Sequence, residues 1–204
     1  MDNNSPFLDK LSEIKIRKGK NLPHWDQDGK IQYVTFRLGD TLPQRKIKEL
    51  ELMISQFESL HPKPWSLATK KEFRRIVSDS IEKLMHKGYG SCILKDSRVR
   101  NVLSEAIFYK DDIDYCIYAF VIMPNHVHML IQPFPGLELK DILYSIKKFS
   151  AYRINRLLNR YGKLWHNEAY DHIVRDYDEF KHCYNYIINN PDGLPDSDYT
   201  LYYY

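Results

Sequence analysis

The sequence predicts an α+β protein organised around an antiparallel sheet, on three observations. Ile31 to Leu38, and the pair Tyr115 to Met123 and His126 to Gln132, are rich in β-branched and aromatic residues and read as strands. Long stretches elsewhere repeat apolar residues at helical spacing. With one inserted helical pair set aside, the elements run strand, helix, strand, strand, helix, strand, helix, which is the split βαβ, ferredoxin-like plan with one helix appended. That plan places helices on one face of the sheet.

The elements follow in chain order. The first thirty residues mix charge and polarity, with Lys15, Arg17, Lys18 and Lys20, and are expected as an irregular lead-in ending in the turn-like Asp26 to Gly29. IQYVTFRL then alternates: Tyr33, Thr35 and Arg37 lie on one face and Val34, Phe36 and Leu38 on the other. From about 42 to 88 the period becomes helical. Ile47, Leu50, Ile54 and Phe57 recur, Pro62-Lys63-Pro64 interrupts, and Phe73, Val77, Ile81 and Leu84 recur before Gly88. A further helix follows Asp96, a suitable cap, and turns Val99, Val102, Leu103, Ala106 and Ile107 to one side. YCIYAFVIM, Pro124-Asn125 and HVHMLIQ make a hairpin. A helix from about Lys140 to Tyr161 points Leu143, Ile146, Ile154, Leu157 and Leu158 inward, and Tyr170 to Val174 is a short strand. The last helix starts at Asp176, with Glu179 three residues on, and stops by Asn190, because Pro191 disfavours helix in the residue before it. Tyr199 to Tyr204 is read as a tail.

Composition narrows the class. The 204 residues fit one domain, 1–204, carrying the 42–88 insertion, and 43% hydrophobic residues supply a core. No apolar run approaches the ~18 residues of a spanning helix, and MDNNSPFLDK lacks a secretory apolar stretch, so a soluble, cytoplasmic protein without a membrane partner is expected. Cys92, Cys116 and Cys183 form no CxxC pair, which argues against structural zinc. Net charge is only +3, but it is segregated. Between Glu138 and Trp165 stand Lys140, Lys147, Lys148, Arg153, Arg156, Arg160 and Lys163 against Glu138 and Asp141, a local +5. Such a face suits contact with phosphate, although a charged helix face is more often only solvated. Arg175 and Lys181 flank the last helix, and Trp165 could stack on unpaired bases.

Two constellations could carry chemistry. His126 and His128 are i and i+2 on a strand, so both imidazoles share a face and can converge on one cation while Val127 points to the core. The motif is short and unspecific alone. On the last helix Tyr186 and Asn190 are four residues apart, about 40° around the axis, which puts a phenol and an amide oxygen on one face. Tyr184, about 200° from Tyr186, cannot face the same site. Tyr184, Ile187 and Ile188 also suit plain packing, and Asn190 a helix end.

MPNHVH, SIKKFSAYRINRLL, LWHNEAYDHIVRD and YNYIINNP, in this order and spacing, resemble the REP-associated tyrosine transposases, members of the single-tyrosine HUH transposase family. LPHWDQDGKIQYVTFRLGDTLP resembles the family's opening strand region, and the similarity covers most of residues 21–191. The resemblance implies an enzyme that cleaves and rejoins single-stranded or hairpin DNA, with repetitive palindromic elements among the candidate targets, acting as monomer or homodimer. It implies that His126 and His128 bind the metal, Mg²⁺ or Mn²⁺, that Asn190 is the third ligand with Asn189 as its rival, and that Tyr186 is the nucleophile with Tyr184 as its rival. Tyr186 would form a 5′-phosphotyrosine and free a 3′-hydroxyl, and because the link conserves the phosphodiester no ATP is needed. No P-loop is present. Lys147, Lys148, Arg153, Arg156, Arg160 and Arg175 are the expected DNA contacts. The alternatives are a catalytically silent, domesticated DNA-binding protein of the same fold, a relaxase, for whose further domains 204 residues leave no room, and a metal hydrolase using the two histidines without a covalent step.

Overall fold

In the computed structural model the protein is described over residues 5–18 and 23–204. It divides into two compact units, Met1–Gly39 with Ile93–Tyr204, and Asp40–Cys92.

The first unit carries the sheet. Its strands are β1 (Lys15–Lys18), β2 (Pro23–Asp26), β3 (Gln32–Arg37), β4 (Tyr115–Ile122), β5 (His126–Pro133), β6 (Tyr170–Ile173) and β7 (Thr200–Tyr203). Five of them form one sheet in the order β6-β3-β5-β4-β7, every neighbouring pair antiparallel. The first four strands of that order are the split βαβ arrangement predicted from element order. The lead-in, expected from its mixed composition to be irregular, instead pairs β1 with β2 as a separate ribbon, Lys15 opposite Asp26. Each is four residues long, too short for alternation to show. Lys20 lies outside the described residues.

The helices of this unit are α3 (Ser97–Phe108), α4 (Leu139–Leu157) and α5 (Tyr177–Asn189), the labels α1 and α2 belonging to the other unit. Asp96 caps α3 as its carboxylate accepts from Arg98 N, 2.9 Å. Val99, Leu103 and Ile107 of α3 and Leu139, Leu143, Ile146 and Ile154 of α4 pack with Val34, Phe36, Val127, Met129 and Ile131 of the sheet. This core fills the odd-numbered face of β5. Leu157, expected inward, is 42% exposed because α4 ends there. Trp165, considered above as a base-stacking residue, is 4% exposed, lies edge-on to Phe36 at 5.1 Å and donates its indole N–H to Ser150 Oγ. It belongs to the core.

The opposite face of the sheet is covered by α5. Tyr33, Val121 and Leu130 meet Cys183 and Ile187 there. The two core helices thus share one face as the plan requires, and the appended helix takes the other. The tyrosine-rich tail is an edge strand: β7 pairs with β4, and buried Arg100 holds its approach, donating to Thr200 Oγ1 (2.9 Å) and Ser197 O (2.7 Å). Among the described residues no helix is long and apolar enough to cross a membrane.

The second unit holds α1 (Gln44–Leu60) and α2 (Leu67–His86), the helical pair read at about 42–88. Phe57, Trp65 and Phe73 pack edge-on or tilted against one another with ring centroids 4.8–5.6 Å apart, and Ser66 caps α2 by accepting from Thr69 N. Gly90 has φ +90°, and a Cβ there would stand 2.6 Å from Asp40 O, so the unit closes on itself only with glycine at that position.

Candidate functional site

His126 and His128 open β5 on the face covered by α5, while Val127 between them enters the other core. Both imidazoles are 1% exposed, with ring centroids 4.7 Å apart and planes at 84°. Each ring is held through Nδ1. His126 Nδ1 meets Asn125 Oδ1 at 2.7 Å; an amide oxygen only accepts, so this nitrogen carries the proton and Nε2 presents the lone pair. His128 Nδ1 lies 2.7 Å from Tyr33 Oη and 2.8 Å from Thr35 Oγ1. In the Nδ1–H tautomer that ring donates to the two hydroxyls and again offers Nε2. Thr35 stands directly opposite His128 in the β3–β5 register, and Tyr33 two residues before it shares the face.

The last helix brings its own pair. Asp176 caps α5 by accepting from Glu179 N (2.8 Å), and Glu179 returns the bond to Arg175 N (2.7 Å), one residue before the cap. The helix so anchored sets Tyr186 edge-on to His128, ring centroids 5.3 Å apart and planes at 88°. Tyr186 Oη and both amide atoms of Asn190 are buried and make no hydrogen bond among the described residues. Asn190 is 7% exposed, whereas Asn189 is exposed to solvent. Tyr184 points elsewhere: it stacks on Phe180 and donates its hydroxyl to Tyr204 O at 2.8 Å. Of the two rivals at each position, the structure brings Tyr186 rather than Tyr184 against His128, and buries Asn190 rather than Asn189.

The donor set fits a divalent cation. Two imidazole nitrogens and an amide oxygen give a mixed set of three, and an unbonded buried amide is costly, about 1–3 kcal/mol, unless something else occupies it. Among the described residues no three His, Cys, Asp or Glu side chains cluster as metal ligands.

The expected DNA contacts are dispersed by their surroundings. Lys148 is exposed, its ammonium 5.5 Å over the Tyr144 ring, and Arg156 is exposed. Arg160 is half-buried. Arg153 is ion-paired with Glu105 of α3 and lies over Phe149. Arg175 donates side-on through Nε and Nη2 to the two oxygens of Glu179 (2.8 Å each), bonds that outweigh burial and hold the carboxyl below its ordinary range. Lys147 turns inward, donating to His166 O (2.7 Å) and Asn167 O (3.1 Å).

Burial, with Lys163 and Arg37 nearby, lowers the Lys147 ammonium to about 8 from 10.5. Its effect on stability has a definite sign. Below pH 8 both folded and unfolded chains hold the proton, and the folded state bears the full cost of the buried charge. Between about pH 8 and 10 the folded chain releases a proton that the unfolded chain keeps, so stability rises with pH. Chemical unfolding of wild type and Lys147→Met should therefore show the difference moving toward wild type by ~1–2 kcal/mol across that range. A difference independent of pH refutes this account.

Tyr33, Thr35, Asn125 and Arg37 contribute to this face but were not picked out as site residues. Their signal was present in the polar side of IQYVTFRL: a polar stripe on a strand that lies central in the sheet needs partners. A model of the family described as "Transposase IS200 like" matches residues 70–190, more than half of the chain, including His126, His128, Tyr186 and Asn190. Comparison with curated proteins finds no match. Among solved structures, the chain is similar to a REP-associated tyrosine transposase bound to a REP hairpin, at 14% identity over 85% of this chain and 73% of that one, with a TM-score of 0.43.

Proposed function

Since the chain belongs to the IS200-like transposase family, we propose that it is a metal-dependent enzyme that cleaves and rejoins single-stranded or hairpin DNA through a covalent tyrosine intermediate. One observation carries this reading. A phenol whose oxygen has no hydrogen bond packs against the imidazole of an HxH pair, and the helix that carries it ends in an equally unbonded buried amide.

In this reading His126 and His128 hold the cation through Nε2, and Asn190 completes the protein ligands through Oδ1. Mg²⁺ or Mn²⁺ bound there supplies Lewis acidity at the scissile phosphoryl group. Tyr186 Oη, deprotonated, forms the bond to phosphorus; the P–O3′ bond breaks, and the 3′ oxygen leaves and takes up a proton. The DNA then carries a free 3′-hydroxyl and the protein a 5′-phosphotyrosine, so one phosphodiester is exchanged for another and can be exchanged back. A phenol that is not already hydrogen-bonded loses no partner when it attacks. Asn125, Tyr33 and Thr35 act through the imidazoles, fixing the orientation of both rings and, at His126, the tautomer.

The test is direct. Incubation with a labelled hairpin oligonucleotide and Mn²⁺ is expected to yield a protein–DNA adduct that survives denaturation, and EDTA to prevent it. Binding without adduct at any metal concentration would support a silent DNA-binding protein instead.

A further inference from the structure

A second cluster adjoins the first where β3 leaves the sheet. Arg37, the last residue of β3, is the register partner of His126, and opposed residues project to the same face of a sheet. Its carbonyl accepts from His166 N (2.8 Å), and the His166 carbonyl accepts from Lys147 Nζ (2.7 Å). Leu38 bridges Trp165 in the same segment. The end of β3, residues 164–167 and α4 are therefore tied together at one point, with exposed Lys163 beside them.

The charge here is one-sided. Arg37 and Lys163 both act on Lys147 and on His166 through space, and among the described residues no acidic side chain acts on Arg37, Lys147 or His166. Among the described residues Arg37, Lys147 and Lys163 make no ion pair, whereas Lys95, Lys140, Arg153 and Arg175 each have a carboxylate partner. Arg37 is half-buried, and burial alone lowers it to about 10. Holding a half-buried guanidinium beside two ammonium groups without an anion costs stability.

We propose that Arg37, Lys147 and Lys163 form a binding site for a phosphodiester group of the DNA strand, next to the His126–His128 pair. This rests on the reading of that pair as a DNA-cleaving site. The donors suit the ligand. A guanidinium offers two parallel N–H groups to one phosphate, and Lys147 has spent two of its three N–H groups on carbonyls and keeps one. Contact of this kind fixes the register of the strand without reading its sequence, which a fixed nucleophile such as Tyr186 needs. The arriving anion also removes the mutual repulsion of the three cations.

The experiment is the salt dependence of binding of a fluorescein-labelled hairpin oligonucleotide with a single-stranded tail, to the full chain in EDTA, where binding is read without cleavage. Lys163→Gln is expected to lower the slope of log affinity against log salt by ~0.7, and Lys163→Gln with Arg37→Gln by ~1.4, with weaker binding at low salt. Arg37→Lys in place of Arg37→Gln should restore most of the second loss. Wild-type adduct formation together with an unchanged slope in folded Lys163→Gln overturns the phosphate site and leaves the enzyme reading standing. A wild type that neither binds the oligonucleotide nor forms adduct overturns both. Lys163 is exposed, so this variant decides the matter even where the double variant fails to fold.

Discussion

Tyr186→Phe is expected to abolish the denaturation-resistant DNA adduct while leaving the fold as stable as wild type. The phenol oxygen is the atom that bonds to phosphorus, and no neighbouring group replaces it, so the fall should be at least ~10³-fold. Stability should hold because that oxygen makes no hydrogen bond in the folded protein: removing a buried, unbonded hydroxyl costs nothing and can be mildly favourable. Tyr184→Phe is the mirror case. Its hydroxyl donates to Tyr204 O, and loss of that bond should cost ~1 kcal/mol or less and loosen the β7 edge, with adduct formation retained. Measured side by side, adduct yield and urea unfolding should cross: one variant is inactive and stable, the other active and slightly weakened. Adduct retained in Tyr186→Phe and lost in Tyr184→Phe reassigns the nucleophile.

The second large effect concerns the metal. Wild type should gain thermal stability on addition of Mn²⁺, because a ligand that binds only the folded chain stabilises it by mass action. His128→Ala and Asn190→Ala should lose that gain, with Mn²⁺ affinity by calorimetry reduced ~100-fold or more. Asn189→Ala should keep it, because Asn189 is exposed where Asn190 is buried. Tyr33→Phe should be intermediate, about 10-fold, since Thr35 Oγ1 remains to hold His128 Nδ1. An equal Mn²⁺ response in wild type and Asn190→Ala removes Asn190 from the ligand set.

Much of this site could be read from the chain itself. Alternation in IQYVTFRL and the HVHMLIQ run located β3 and β5, and the i, i+2 spacing put His126 and His128 on one face before any coordinate was known. Helical spacing did the same for Tyr186 and Asn190 and separated Tyr184 from them. Asp96 and Asp176 marked the starts of α3 and α5. These readings succeed because they depend on periods of two and 3.6 residues, which the backbone imposes within a few residues of each position.

Other properties were decided only in three dimensions. The local +5 of residues 138–165 is a fact of composition, but Arg153 was paired by Glu105, 48 positions away, and Lys147 was turned inward by two carbonyls of the segment that closes on β3. Trp165 looked available for stacking until the packing of Phe36 and Ser150 buried it. The ribbon of β1 and β2 and the edge strand β7 were unreadable, since a four-residue strand is stabilised by its partner's hydrogen bonds more than by its own propensity. The face on which α5 lies, which brings Tyr186 to His128, was likewise a tertiary outcome. Local sequence sets which side chains share a face; which faces meet depends on burial and pairing between segments far apart in the chain, and those contacts alone bring the phenol to the imidazoles.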